Sequence, residues 1–218
     1  DTAASHRPTI GRAAELALLE RGLDRLIHGE GGCFVIEGDA GIGKTHLIEH
    51  LTRSAQERGV VAFAGGGDPL RSAMPYAAWR TVFEKLLGVS ATGGEPAHAL
   101  EPRIAHTRAA VVAIDAANET SLPLLGTVLG IAIPDTPETA RLDARSRADN
   151  TNDLLIRLLL RSTDTRPLIV VMEDAHWLDS SSASLLARIV REATQALVLV
   201  TTRPIIDGKD EALTALLS

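Results

Sequence analysis

Eight residues, Gly38, Asp39, Ala40, Gly41, Ile42, Gly43, Lys44 and Thr45, satisfy the spacing G-x-x-x-x-G-K-[ST] at every position. Glycines at those places let backbone N–H groups turn inward around phosphate oxygens, and a helix beginning at the lysine aims its positive end at the same oxygens. In that chemistry Lys44 reaches the β and γ phosphates, and the Thr45 hydroxyl sits on Mg2+. An apolar run directly before the loop and an amphipathic pattern directly after it supply the strand and helix that the motif requires.

A second spacing overlaps the first. His46, Glu49 and His50 spell H-x-x-E-H, used by one class of zinc peptidases. A zinc site would need this pair to face an open cleft with a further ligand and a metal-bound water. The same helix must aim its N-terminus at phosphate, so the two histidines are expected on a solvent-facing or interdomain face.

Further along, "LIVVMED" ends an apolar run in two adjacent acids, Glu173 and Asp174. Carboxylates at a strand end are what a phosphate-loop protein needs for its metal and its water. Glu173 is expected in the Mg2+ shell, and Asp174 is expected to orient or deprotonate the attacking water. The order is Glu then Asp, the reverse of the commoner one. The plain structural alternative for Asp174 is a helix N-cap. His176 and Trp177, next in line, read as packing residues. Arg203 follows another apolar run, where a guanidinium can sense the γ phosphate through charge-assisted hydrogen bonds.

These residues need a scaffold of parallel strands. "CFVIEG" from Cys33, "VVAFAGG" from Val60, "PLIVVMED" from Pro167 and "ALVLVTTRP" from Ala196 are unalternating apolar runs, as in strands covered on both faces. Helical periodicity marks Arg12 to His28, the stretch after the glycine loop with Leu47, Ile48, Leu51 and Ala55, and Ser182 to Ala193. Asp179 and Ser180 look like a helix start. Roughly 100 residues separate the second and third strands, far beyond an ordinary connection, so that region must hold structure of its own. Helical patterns appear there at Tyr76 to Leu87, Ile104 to Ala117 and Leu154 to Leu160. The polar, Pro-containing stretch from Pro134 to Asp153 is expected to be an exposed loop.

The chain has 218 residues, 45% hydrophobic but only 3% aromatic, so the core must be Ala, Leu, Val and Ile in helix-on-sheet packing. A formal charge of -6 argues against a nucleic-acid-binding face. One cysteine, Cys33, cannot form an internal disulfide, and a reducing cytoplasm is the expected compartment. No apolar run approaches the roughly 18 residues of a membrane span. The polar start has no signal-peptide core, and an opening Asp1 suggests a fragment of something longer.

Together, "IGRAAEL" at Ile10, "GDAGIGKT", "GDPLRSAMPYAAWRTVFEKLLG", "PLIVVMEDAHWLDSSSASLL" and "LVLVTTRP" resemble the AAA+-related ATPase domain of the STAND class of signalling ATPases. The likeness is greatest to the ATPase modules of large LuxR-type transcription regulators and multidomain bacterial adenylate cyclases. It implies an α/β P-loop fold over residues 1–218, with a mostly helical insertion over 66–166, and a fragment of a larger protein. It also implies that Ile10, Gly11 and Arg12 line adenine and ribose and that Arg203 is the sensor arginine. Lys44, Asp174 and Arg203 are then the catalytic set, ATP or ADP with Mg2+ the cofactors, and the parent's other domains the partners, with self-association when ATP is bound. The family acts as slowly hydrolysing switches. The match ends before that family's fifth core strand and helical lid, so weak nucleotide binding and negligible turnover are expected of this stretch alone. A stand-alone NTPase and a non-hydrolysing interaction domain are the rival expectations. GTP is less expected than ATP, for no N-K-x-D string follows a strand.

Overall fold

The computed structural model describes residues 12–89, 100–163 and 166–204. Four strands, β1 (Gly32–Glu37), β2 (Val61–Gly66), β3 (Leu168–Glu173) and β4 (Ala196–Thr202), form one parallel sheet in the order β1-β4-β3-β2. Each coincides with an apolar run of the sequence. β4, the last of the described strands, lies between β1 and β3, so the ends of the phosphate-loop strand and the acid-bearing strand flank it on either side.

Side-chain alternation splits the sheet's two faces cleanly. Ile169, Val171, Leu197 and Leu199 pack with Leu19 and Leu23 of α1 (Ala13–Ile27) and with Leu47 and Leu51 of α2 (Lys44–Glu57). Val170, Met172, Val198 and Val200 point the other way, into a larger core with α7 (Ser180–Glu192) and the helices inserted between β2 and β3. Those are α3 (Arg80–Leu87), α4 (Leu100–Ile114), the five-residue α5 (Leu125–Leu129) and α6 (Ala144–Thr163), with 3-10 segments at Ala77–Trp79, Ala116–Leu124 and Thr139–Arg141. Trp79, fully buried, anchors this layer by donating its indole N–H to the Ser182 carbonyl of α7 at 3.1 Å. Among the described residues no helix is long and apolar enough to cross a membrane.

The stretch Pro134 to Asp153 is exposed over most of its length, as expected, but it is not a loop throughout. Its second half is the first half of the 20-residue α6. Asp143 starts that helix by accepting the Ser146 N–H at 2.7 Å, and this bond holds its carboxyl below the ordinary range. Arg147 donates to Asp135 at 2.8 Å and to the Thr139 carbonyl at 2.9 Å, folding the preceding turns back onto the helix. Thr151 and Asn152 are buried, and Asn152 accepts the Tyr76 hydroxyl at 3.0 Å. Polar residues here also supply the hydrogen bonds that start the helix and tie the preceding turns to it, which a reading based on hydropathy takes for loop. The helix expected to run through Ala117 ends at Ile114, because the Asp115 side chain accepts the Ala117 N–H and opens a 3-10 segment instead.

Candidate functional site

The phosphate-type loop runs from the carboxyl end of β1 to the first turn of α2. Its Gly38 N–H still belongs to the sheet, donating to the Thr202 carbonyl of β4 at 3.2 Å. Gly41 (φ 80°) and Gly43 (φ 95°) then take left-handed conformations that side chains resist, and Gly43 is the residue immediately before α2. No described side chain caps α2, and its first turn holds no acid, so the positive end of the helix faces the loop unopposed. Lys44 reaches back across the loop, its Nζ donating to the carbonyls of Gly38 at 2.5 Å and Asp39 at 3.0 Å. Asp39, Ala40, Gly41, Ile42 and Thr45 are exposed.

Arg12 leads into α1, yet its guanidinium donates to the Ile42 carbonyl and lies against Gly43. The structure therefore brings Arg12 onto the loop itself, although 30 positions separate it from Ile42. Ile10 and Gly11 lie outside the described residues.

Across β4 stands the acid pair. Glu173 continues the face of Ile169 and Val171, so it points toward α2. Burial, the neighbouring Asp174 and the carboxylate of Glu49 on α2 together push its pKa up. A half-buried carboxylate facing two other acids with a raised pKa is an environment that favours a cation or a proton. Asp174 is exposed and lies in the left-handed region at φ 48°, one of two described non-glycine residues with positive φ. It makes no side-chain cap to the 3-10 turn Ala175–Trp177 that follows; the cap of the next helix is Asp179, whose carboxylate takes the Ser182 N–H at 2.9 Å. The N-cap alternative thus belongs to Asp179. The His176 and Trp177 rings lie 5.1 Å apart, centroid to centroid. Arg203 follows β4 directly, exposed, at the same end of the sheet.

The H-x-x-E-H helix face is divided. His50 Nε2 lies 3.1 Å from a Glu20 oxygen of α1, and Ser54 and Arg58 donate to the other oxygen at 3.0 and 2.9 Å, joining α1 to α2. Glu49 instead bears on Glu173, a relation the spacing read as a peptidase motif does not suggest. Two further residues meet the acid turn without having been marked by the sequence. Thr201 Oγ1 accepts the Asp174 N–H at 3.0 Å, and Gly67 donates its N–H to the Glu173 carbonyl at 2.8 Å. The available signal for Thr201 was its parity with Leu197 and Leu199, which sets it on the same face as Glu173.

Comparison with known proteins places the chain. The profile described as AAA ATPase domain matches residues 8–201. An uncharacterized protein of Rhizobium meliloti (strain 1021) is 27% identical over 90% of this chain, which spans only 19% of that relative's length. Among solved structures, Cdc6p from Pyrobaculum aerophilum overlaps 97% of this chain and 43% of its own, with a TM-score of 0.47 and 16% identity. The Orc1 protein of Aeropyrum pernix, solved in complex with DNA, overlaps 94% and 41%, at 0.46 and 18%. With a parallel P-loop sheet and a profile match over most of its length, the chain belongs to the AAA ATPase domain family.

Proposed function

We propose that this chain is an ATP-binding, slowly ATP-hydrolysing switch module of a larger cytoplasmic regulator, of the STAND type found in LuxR-type transcription regulators and bacterial adenylate cyclases. The observation that carries the reading is the loop itself: two left-handed glycines, an uncapped helix start and the Lys44 ammonium converge on one face. Backbone N–H groups of residues 38–45 would hold the phosphates, Thr45 and Glu173 the Mg2+ shell, and Arg12 the nucleotide side of the loop. Bound Mg-ATP would supply an activated phosphoryl group in line for attack by water. Asp174 would orient that water, and Arg203 would stabilise charge on the γ phosphate. The relative of which this chain covers 19% supports a module within a longer protein. Other domains of that parent are the proposed partners, with self-association in the ATP state; no direct nucleic-acid binding is assigned to this stretch.

Isothermal titration of the chain and of Lys44→Ala with Mg-ATP tests the reading. Saturable binding is expected, weakened about tenfold to a hundredfold by removal of the ammonium, as the loss of a charge-assisted hydrogen bond implies. Equal heats for the two proteins, or none with either, would refute it.

A further inference from the structure

The β3–β4 ladder stops one residue early. It runs from Leu168 opposite Ala196 to Met172 opposite Val200, whereas on its other side β3 stays paired with β2 as far as Glu173 opposite Gly66. Beyond Met172 the chain turns, and Asp174 occupies the left-handed region, a conformation that costs an L-residue roughly 1–2 kcal/mol. Something must hold it there.

Two contacts do so, one from each side. From β4, the hydroxyl of Thr201, which is 2% exposed, accepts the Asp174 N–H and so replaces the ladder bond that the turn gives up. Directly after β2, Gly67 donates to the Glu173 carbonyl and lies so close beneath the turn that a Cβ there would sit 2.5 Å from the Asp174 carbonyl oxygen and 2.8 Å from Trp177 Cβ. We infer that Thr201 is the positioning residue of the acid pair, its side-chain oxygen fixing the backbone of Asp174 while Gly67 seats the turn from the opposite side.

Valine in place of Thr201 keeps the shape and removes the acceptor, leaving the Asp174 N–H without its partner. Serine keeps the acceptor. The inference rests on the ATP-switch reading for its catalytic consequence, but its structural half needs no nucleotide. Amide hydrogen exchange of the 173–177 segment, measured without ligand, is expected to quicken about tenfold in Thr201→Val and to stay near wild type in Thr201→Ser, as expected for loss of a local closing bond. In the full-length parent protein, ATP turnover is expected to fall about tenfold to a hundredfold in Thr201→Val with KM within about threefold of wild type, the pattern of misplaced catalytic groups, and to recover in Thr201→Ser. Gly67→Ala leaves β4 intact and pushes the turn from the other side, so it is expected to give the same turnover loss even if the valine variant folds poorly. Unchanged exchange in Thr201→Val, or failure of serine to restore it, would overturn the role of Thr201. Absence of nucleotide binding in wild type would instead defeat the ATP reading, with the exchange result still deciding whether Thr201 holds the turn.

Discussion

Glu173 sits among like charges, and that arrangement has a measurable cost. Burial first, then Asp174 and Glu49, raise its pKa. A carboxyl whose folded pKa lies above its unfolded value contributes most below the ordinary carboxylate range, about 4.3, and loses that contribution as pH climbs through the folded value. Replacing it by neutral glutamine should therefore raise the melting temperature at pH 7 in metal-free buffer, and the advantage should vanish in scans below about pH 4. A lower melting temperature for Glu173→Gln at pH 7 would contradict the crowding of acids. Burial acts in the same direction on Cys33, pushing its thiol up to about 11 and leaving little thiolate at neutral pH. Lys44 and Thr45, and separately the acid pair, could be picked out as candidates because each lies in a short local motif. Thr201 and Gly67 were not, because their partners lie on adjacent strands and only the sheet order brings them together.

Between elements, the decisive joints are polar. Tyr76, itself left-handed at φ 60°, carries the chain from the end of β2 into the inserted helices. Its backbone N–H goes to Asp179 at 3.2 Å and its hydroxyl to Asn152 at 3.0 Å, so one residue connects the start of α7 to the middle of α6. Removing the hydroxyl leaves the buried Asn152 oxygen without that donor, at a cost of about 1–3 kcal/mol. Thermal melts of Tyr76→Phe should accordingly fall by several degrees, at about 2–4 °C per kcal/mol for a chain this long. Burial pushes the phenol up to about 12, with Asp179 and Asp149 adding to it. The stability it supplies is thus complete below the ordinary phenol value of about 10 and is lost as pH rises toward 12. Strands, α1, α2 and α7 were legible from apolar runs and periodicity. The first half of α6 was not: its hydrophobic signal begins only at Leu154, and its earlier turns are held by Asp143, Arg147 and Asn152.

Taken whole, the molecule has a core on each face of one sheet, and the inserted helices share theirs with β3, β4 and α7. No described layer could leave without exposing strand residues that are fully buried. The chain should consequently unfold as one unit. Its two tryptophans, Trp79 deep in the inserted layer and the half-exposed Trp177 beside the acids, provide a check. Urea transitions followed by fluorescence of Trp79→Phe and of Trp177→Phe, each retaining one reporter, should coincide with each other and with far-UV circular dichroism. Separated midpoints would mean that the insertion melts independently. The glycines at and just after the end of β2 carry a different implication, one for variation over time. At 65 and 67 even a methyl group would collide with backbone carbonyls. Random mutagenesis of those codons under selection for a working protein should return glycine almost alone.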